Sequence, residues 1–547
     1  MKLALVTTAP EIHSGIGDYT RHLLPYLAQR CQVEVYVRDG TEGTQLDGFT
    51  TRALSTLGAG AADRILYQLG NEANHAFMVP AIQRLGGVVM QHDWVLFDLA
   101  MACHPALVRG GVKGATLAGR LGGRTQLATY VRAFGARRQE RRRPLQPVEP
   151  NGRPGNLVGG WHAPEGTGRW VADNGVFRIP AEGVRSVAVT FNAPVGRRVE
   201  LRQGGQVLAR YRTTPEQPWE RLEIEPAERE RPTLVLHVDP VRVTKEQRLH
   251  GDARRLGAFI ERIEWSDADG RHDLDLRAPA AVPLRPSSLS DFRFDLPLNR
   301  GVVRHADGFV VHSEFVAEHI RATRPNVGVG VVHHGAERRW HEQTRAAARL
   351  ELGLPRSWAD GFLVTSLGGV QAHKRVDRVL AALAQARRER PDIRLAMAGR
   401  VCSESFDARE VAESMGLGDA VHFPGFVSEE DAWRWLHAGD VSINLRGPTS
   451  GGTSGGIFQA FGLGRAVIAS NAAEQRELPD ACTIKVPLGE GEVDAVARAM
   501  VELRDDAARV ERLSAAARAF VDDECHWSHC ADRYVTYLER APRPRGV

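Results

Sequence analysis

The stretch Leu445–Ser470, LRGPTSGGTSGGIFQAFGLGRAVIAS, decides how the rest of the chain is read. A loop of Pro, Thr, Ser and Gly lies between the apolar run Val441–Leu445 and a helix-like segment. A second apolar strand, Ala466–Ser470, follows. Glycines let a backbone approach a ligand closely, and a helix start presents free N–H groups at the positive end of a dipole. The pattern is that of an α/β unit with an anion site, typically for phosphate, at the loop. A flexible surface loop has the same composition.

Outward from this loop, strand and helix alternate. FLVTSLGGV, IRLAMAGR, AVHFPGFV and VSINLR are strand-like. Between the first two, Val376, Val379, Leu380 and Leu383 mark one helical face. The start of the chain has the same style, with strands KLALVTTA, VEVYVRD, RILYQLGN and GVVMQHD and a helix in GIGDYTRHLLPYLAQR. Both parts are expected to be α/β, doubly wound Rossmann-like domains, with ligands beyond the carboxyl ends of the strands. Between them the helical period fades. Runs such as SVAVTFNA and PTLVLHV have strand character, and Gly204-Gly205 is a hairpin signal. Pro-rich, charged linkers flank this part, so an inserted β-sandwich is expected. The division expected is 1–143 and 283–345 for the first α/β domain, 144–282 for the insert, 346–524 for the second α/β domain and 525–547 for a terminal helix.

The bulk numbers narrow the function. A chain of 547 residues, 43 % apolar and 25 % charged, is ordinary globular material. A net charge of +4 gives no argument for nucleic acid. Six scattered cysteines, Cys31, Cys103, Cys402, Cys482, Cys525 and Cys530, suit reduced thiols in a cytoplasmic protein better than a disulfide framework. No apolar run approaches a membrane span, and MKLALVTTAP is expected to be a first strand rather than a signal peptide.

Ordered pieces along both α/β parts carry a resemblance. They include SGIGDYTRHLLPYL, YQLGNEANHAFM, VVMQHDWVLFDL, ADGFVVHSEFV, LGGVQAHKRVDRVLAAL and FPGFVSEEDAWRWLHAGDVSINLRGPTSGGTSGGIFQAFGLGRAVIAS. The chain resembles a GT-B glycosyltransferase, most like family 4. GWHAPEGTGRW and GDARRLGAFIERIEW resemble a β-sandwich module that accompanies polysaccharide-assembly glycosyltransferases. The resemblance implies two Rossmann-like domains facing a cleft. It also implies retaining transfer from a nucleotide-diphosphate sugar to a glycan or lipid-linked acceptor, with no metal required.

Residue by residue, the resemblance makes Lys374 the cation at the departing phosphate, with Arg375 beside it. Gly369 stands where the family usually has an arginine, so Arg400 or Arg446 becomes a candidate replacement. The family's two loop glutamates fall on Gly451 (or Gly452) and on Gln459, which can still accept through its amide oxygen. Gly452, Thr453 and Ser454 are left to hold the diphosphate. Gly15 and Gly17 form the first glycine turn on the donor side. His92 is expected near the reacting sugar, and Gln68, Asn71, His75 and Asp93 on the acceptor side. Glu477 either reaches the donor or caps structure. The cluster Cys525, His526, His529 and Cys530 has metal-ligand residue types but no second ligand pair, so no metal is assigned. Asp273 and Asp275 form a D-x-D inside the insert, away from any nucleotide domain. The basic run Arg137–Arg143 is a solvated linker or touches acidic lipid, the basis for expecting peripheral membrane contact. With both loop glutamates missing, the alternative is a non-catalytic glycan-binding or scaffold protein.

Overall fold

The computed structural model describes residues 1–12, 14–58, 60–140, 156–165, 168–203, 206–214, 219–239, 241, 256–276, 289–401, 408–489 and 491–545. Cys402, the Gly204–Gly205 turn and most of both linkers lie outside the described residues.

Two parallel sheets and their helices make one compact unit, residues 1–131 and 292–547. The first sheet contains β1 (Lys2–Val6), β2 (Gln32–Val37), β3 (Arg52–Ala53), β4 (Arg64–Leu69), β5 (Val88–Gln91), β6 (Gly308–Val311) and β7 (Gly328–Val331), in the order β7-β6-β5-β4-β1-β2-β3. Its central strands are buried on both faces, which is why they are continuous apolar runs rather than alternating ones. Helix α1 (Gly15–Ala28) starts at Ser14, whose hydroxyl accepts from Gly17 N at 3.0 Å. It turns Ile16, Tyr19, Leu23, Leu24 and Leu27 inward at helical spacing. Helix α2 (Glu314–Thr323) follows β6.

The second sheet contains β8 (Phe362–Leu367), β9 (Ile393–Ala398), β10 (Val421–Gly425), β11 (Val441–Asn444), β12 (Val467–Ser470) and β13 (Thr483–Val486), in the order β10-β9-β8-β11-β12-β13. Helix α3 (Val376–Glu389) buries the face expected from its spacing, Val376, Val379, Leu380 and Leu383. Helix α4 (Gly455–Gly462) links β11 to β12. The last helix, α5 (Trp527–Arg540), returns to the first lobe. Its Trp527, Cys530, Ala531, Tyr534 and Leu538 join a core with Leu23, Leu27 and Leu66. Arg64 of β4 donates to the carbonyls of Leu538 and Glu539, at 2.6 and 2.9 Å, where the end of a helix favours a cation.

Residues 132–291 form a second compact unit. Its strands pair antiparallel, and Arg198–Gln203 and Gln206–Arg212 make the hairpin that the glycine pair signals. By hydrogen bonding this is one nine-stranded sheet rather than the two facing sheets of a sandwich. The sheet bends until its end strands meet. Tyr211, on the strand at one end, donates to Glu220, on the strand at the other, at 2.5 Å. Trp161, Phe177, Phe191, Leu201 and Leu236 fill the core. Asp273 ends a short strand of this unit.

Candidate functional site

In each parallel sheet the strand order reverses once. An open α/β sheet leaves a ligand crevice beyond the carboxyl ends of its strands at that point. In the second lobe the reversal falls between β8 and β11. Gly368, Gly369 and Lys374 follow β8, and the loop 445–454 follows β11, so the two segments with predicted donor contacts flank one crevice. In the first lobe the reversal lies between β4 and β1, where Gly70 and the Ser14–Gly17 turn sit.

Lys374 packs against the end of β8. Gly368 has φ +110°, and a Cβ there would stand 2.6 Å from Lys374 Nζ. Arg375 does not face the crevice as a free cation. It adopts left-handed backbone, φ 57°, and forms a two-pronged pair with Glu492, whose side chain has no exposed surface. Its role is to fix the start of α3 and hence the turn carrying Lys374. Beyond the loop, Ser454 stands at the N-cap position of α4 without a side-chain capping bond, and the N–H groups of Ser454, Gly455 and Gly456 begin a helix that gives them no intrahelical acceptor. Gln459 lies half-buried one turn on, and Thr453 is also half-buried.

The loop 449–452 is docked on the first lobe. Val95 N donates to Ser450 O at 2.8 Å, and Ser450 Oγ donates to Asp93 Oδ1 at 2.8 Å. Gly451 has φ +77°, and a Cβ there would meet Trp94 Cβ at 2.7 Å. One on Gly452 would meet Asp93 Oδ1 at 2.2 Å. The close approach that Gly452 permits is therefore to Asp93 of the opposite lobe. Asp93, expected beside an acceptor, also accepts from Asn71 N at 3.1 Å. Glu477 accepts from Glu314 N and Phe315 N, at 2.7 and 2.6 Å, so it caps α2 of the first lobe with a carboxylate.

Three other expected acceptor-side residues serve the fold. Asn71 Oδ1 accepts from Asp98 N at 2.7 Å and starts the helix Phe97–Cys103. His75 is fully buried, with Nδ1 against Gly70 and Nε2 among the buried atoms lacking a partner. Gln68 is fully buried under His92. Gly15 is the first residue of α1 and Gly17 the third, so both belong to the helix start rather than to a loop; Gly15 is exposed.

His92 sits in a chain of buried groups. His312 Nδ1 donates to Val332 O at 2.9 Å, which leaves its Nε2 to accept from His92 Nδ1 at 3.3 Å. His92 Nε2 then carries no hydrogen, and the Gln68 amide lies 2.8 Å away. An amide oxygen there would face a lone pair, while the amide nitrogen is otherwise among the unpartnered buried atoms. Turning the Gln68 NH2 toward His92 satisfies both groups, and amide orientation follows the network. Both His92 ring nitrogens are then engaged inside the protein, and neither is directed at a sugar in this conformation. Tyr19 packs edge-on to His92 at 4.7 Å and to His334 at 4.9 Å. Burial, then the neighbouring imidazoles, pushes His92 and His312 well below the usual histidine range, and burial brings His334 down to about 4.

Two more charged groups enter the cleft: Arg446, a candidate replacement cation, and Glu474, which was not expected there. Arg446 donates to Gly452 O at 2.6 Å, and its Nε is buried without a partner. Burial raises the carboxyl pKa of both Asp93 and Glu474, and the charge of Arg446 offsets part of that rise. Glu474 is buried, and Thr449 Oγ1 donates to its two oxygens at 2.9 and 3.0 Å. Arg446 was visible in the sequence as a strand-end arginine. Glu474 lies in NAAEQRE, where nothing in the residue pattern marks it. A cavity of about 20 Å³ is lined by His312, Ser313, Thr453, Ser454 and Glu474. Among the described residues no group of three His, Cys, Asp or Glu is arranged to hold a metal ion, and no helix is long and apolar enough to cross a membrane. Cys530 Sγ donates to His333 O at 3.4 Å.

Residues 361–506, the second lobe with its loop, match the family model described as glycosyl transferases group 1. No curated protein matches the sequence. Among solved structures, HepE from Anabaena in complex with UDP and glucose is 17% identical, over 47% of this chain and 69% of that one, at a TM-score of 0.40. Sucrose-phosphate synthase from Thermosynechococcus elongatus is 22% identical, over 46% and 61%, at 0.39. WaaG, a glycosyltransferase involved in lipopolysaccharide biosynthesis, is 12% identical, over 98% and 99%, at 0.47.

The histidine cluster gives a pH prediction. A ring whose folded pKa lies below its unfolded value binds fewer protons folded than unfolded. Its contribution is complete above an unfolded pKa of about 6.5 and is lost as pH falls below it, at up to about 1.4 kcal/mol per pH unit per ring. The raised carboxyls of Asp93 and Glu474 act in the opposite sense, gaining stability as pH falls through the carboxylate range. The denaturant midpoint should therefore drop between about pH 7.5 and about pH 5.5. An unchanged or rising midpoint would contradict neutral buried histidines.

Proposed function

We propose that the protein is a retaining glycosyltransferase that moves a sugar from a nucleotide-diphosphate sugar to a glycan or lipid-linked acceptor in surface polysaccharide synthesis. The observation that carries this reading is the second-lobe crevice. A lysine and the start of a helix converge there at the strand-order reversal, inside the residues matching the group 1 model.

The chemistry follows from charge. As the bond between the anomeric carbon and the phosphate oxygen breaks, its electron pair goes to the departing diphosphate. Lys374 Nζ and the N–H groups that open α4 are fixed donors for that growing charge, the largest lever available to such a site. The acceptor hydroxyl forms the new bond from the same face, and its proton passes to the leaving phosphate oxygen. No protein nucleophile is assigned, and the scheme calls for no metal.

Cytoplasmic action beside a membrane belongs to the same proposal. On the helices Pro105–Arg109 and Gly111–Glu140, Val108, Val112 and Val131 are 56%, 83% and 53% exposed beside Arg109, Lys113, Arg120 and Arg124. Apolar tips among cations suit an anionic lipid surface. A second reading, a non-catalytic glycan-binding protein, is favoured by the glycine and the glutamine, Gly451 (or Gly452) and Gln459, that stand in place of the two expected glutamates.

Lys374→Ala should lower turnover about a hundredfold or more, read as nucleoside-diphosphate release from a panel of nucleotide sugars with and without lipid-linked acceptor. A chelator should leave wild-type turnover unchanged. Absence of release from every donor would favour the non-catalytic reading, and near-normal turnover by folded Lys374→Ala would remove that residue from the mechanism. The protein should also co-sediment with anionic vesicles but not with neutral ones; equal recovery with both would remove the electrostatic membrane contact.

A further inference from the structure

We propose that Glu474 accepts hydrogen bonds from hydroxyls of the donor's transferred sugar, replacing a carboxylate that the glycine loop has no room to carry. The inference rests on the nucleotide-sugar reading and deepens it.

Glycines occupy 451 and 452 for a steric reason. A side chain at Gly451 would run into Trp94, and one at Gly452 into the Asp93 carboxylate, at 2.7 and 2.2 Å. A glutamate at Gly452 would also set two carboxylates against each other. While the loop is docked on the first lobe, carboxylates reach it only from elsewhere: Asp93 meets Ser450, and Glu474 meets Thr449.

Its placement is costly for the backbone. Ala473, just before it, has φ 44°, a left-handed conformation that residues other than glycine rarely adopt. This strain accompanies a side chain only 6% exposed, on the wall of the interlobe cavity beside Thr453 and Ser454. There one hydroxyl, Thr449 Oγ1, straddles both oxygens. An ionised carboxylate offers about four lone-pair directions, so the Thr449 hydroxyl and the residue's own backbone N–H together leave accepting capacity toward the cavity. Arg446, electrostatically coupled to Glu474 and Asp93, keeps the buried charge tolerable. A buried acceptor with spare lone pairs, beside the start of α4, is suited to a group bearing several hydroxyls. Discrimination is strong at such a site, because a ligand without the hydroxyl leaves the carboxylate unpaired.

The competing role is structural, with Glu474 serving only to hold Thr449. Calorimetry separates the two, using UDP, GDP and ADP and their glucose conjugates on wild type, Glu474→Ala, Glu474→Gln and Thr449→Val. Glu474→Ala should weaken the nucleotide sugar by at least about tenfold, the value of a hydrogen bond to a charged group, while the matching free diphosphate loses less than about threefold. Glu474→Gln keeps the volume and the Thr449 contact, so it should fold and show a smaller loss with the same selectivity. Thr449→Val should weaken both ligands by the same factor. Equal losses of sugar nucleotide and diphosphate in Glu474→Ala, or the same profile in Thr449→Val and Glu474→Ala, would overturn the assignment while leaving the nucleotide-sugar reading standing. A wild type that binds none of the six ligands would overturn both.

Discussion

Ser450 ties the two lobes together, and the rest of the site is arranged around that tie. Its carbonyl accepts from Val95 N and its hydroxyl donates to Asp93, both at 2.8 Å. A hydrogen bond to a charged group is worth about 1.5–3 kcal/mol, enough to set the resting position of a short loop. Because the loop lies so close to residues 93–95, its next two positions have room only for glycine. The loop between β11 and α4 thus contributes hydroxyls and backbone but no carboxylate, and the carboxylates of the cleft, Asp93 and Glu474, come from outside it. Arg446 is the counter-charge to both, and it donates to Gly452 O as well.

The same constraint orders the proposed donor side. Lys374 and the start of α4 belong to one rigid lobe, held by strands buried on both faces. Arg375 has its charge matched by Glu492, which fixes the turn that carries Lys374. On the first lobe, the imidazoles of His92 and His312 support the floor below Asp93 instead of reaching outward. Neutral, buried and hydrogen-bonded end to end, they give the residues above them a fixed base, and they make the lobe sensitive to acid.

Much of this was legible in the sequence wherever the signal is local. Alternating strands and helices, the buried face of α3, the hairpin around Gly204–Gly205 and the loop before α4 each rest on residues close together in the chain. What periodicity does not encode is who meets whom. Asp93 and Ser450 are 357 residues apart, and His92 and His312 are 220 apart across the insert. Burial near a strand's carboxyl end is therefore indistinguishable in sequence from presentation to a ligand, and Gln68, His75 and His92, expected near substrate, are buried with internal partners. Arg375 was misplaced for a related reason, since its partner Glu492 lies at a distant helix start. The insert's strands were clear, but the closure of its sheet depends on contact between end strands such as Tyr211 with Glu220.

The central claim is that the turn 366–376 and the loop-helix junction 450–458 form one diphosphate-binding wall. Amide hydrogen exchange with and without nucleoside diphosphates measures this directly, because N–H groups that donate to an anion exchange more slowly. Both segments should gain protection together when a diphosphate is added, with little change across the insert. Protection that appears elsewhere, or in neither segment with any diphosphate at saturating concentration, would contradict the account.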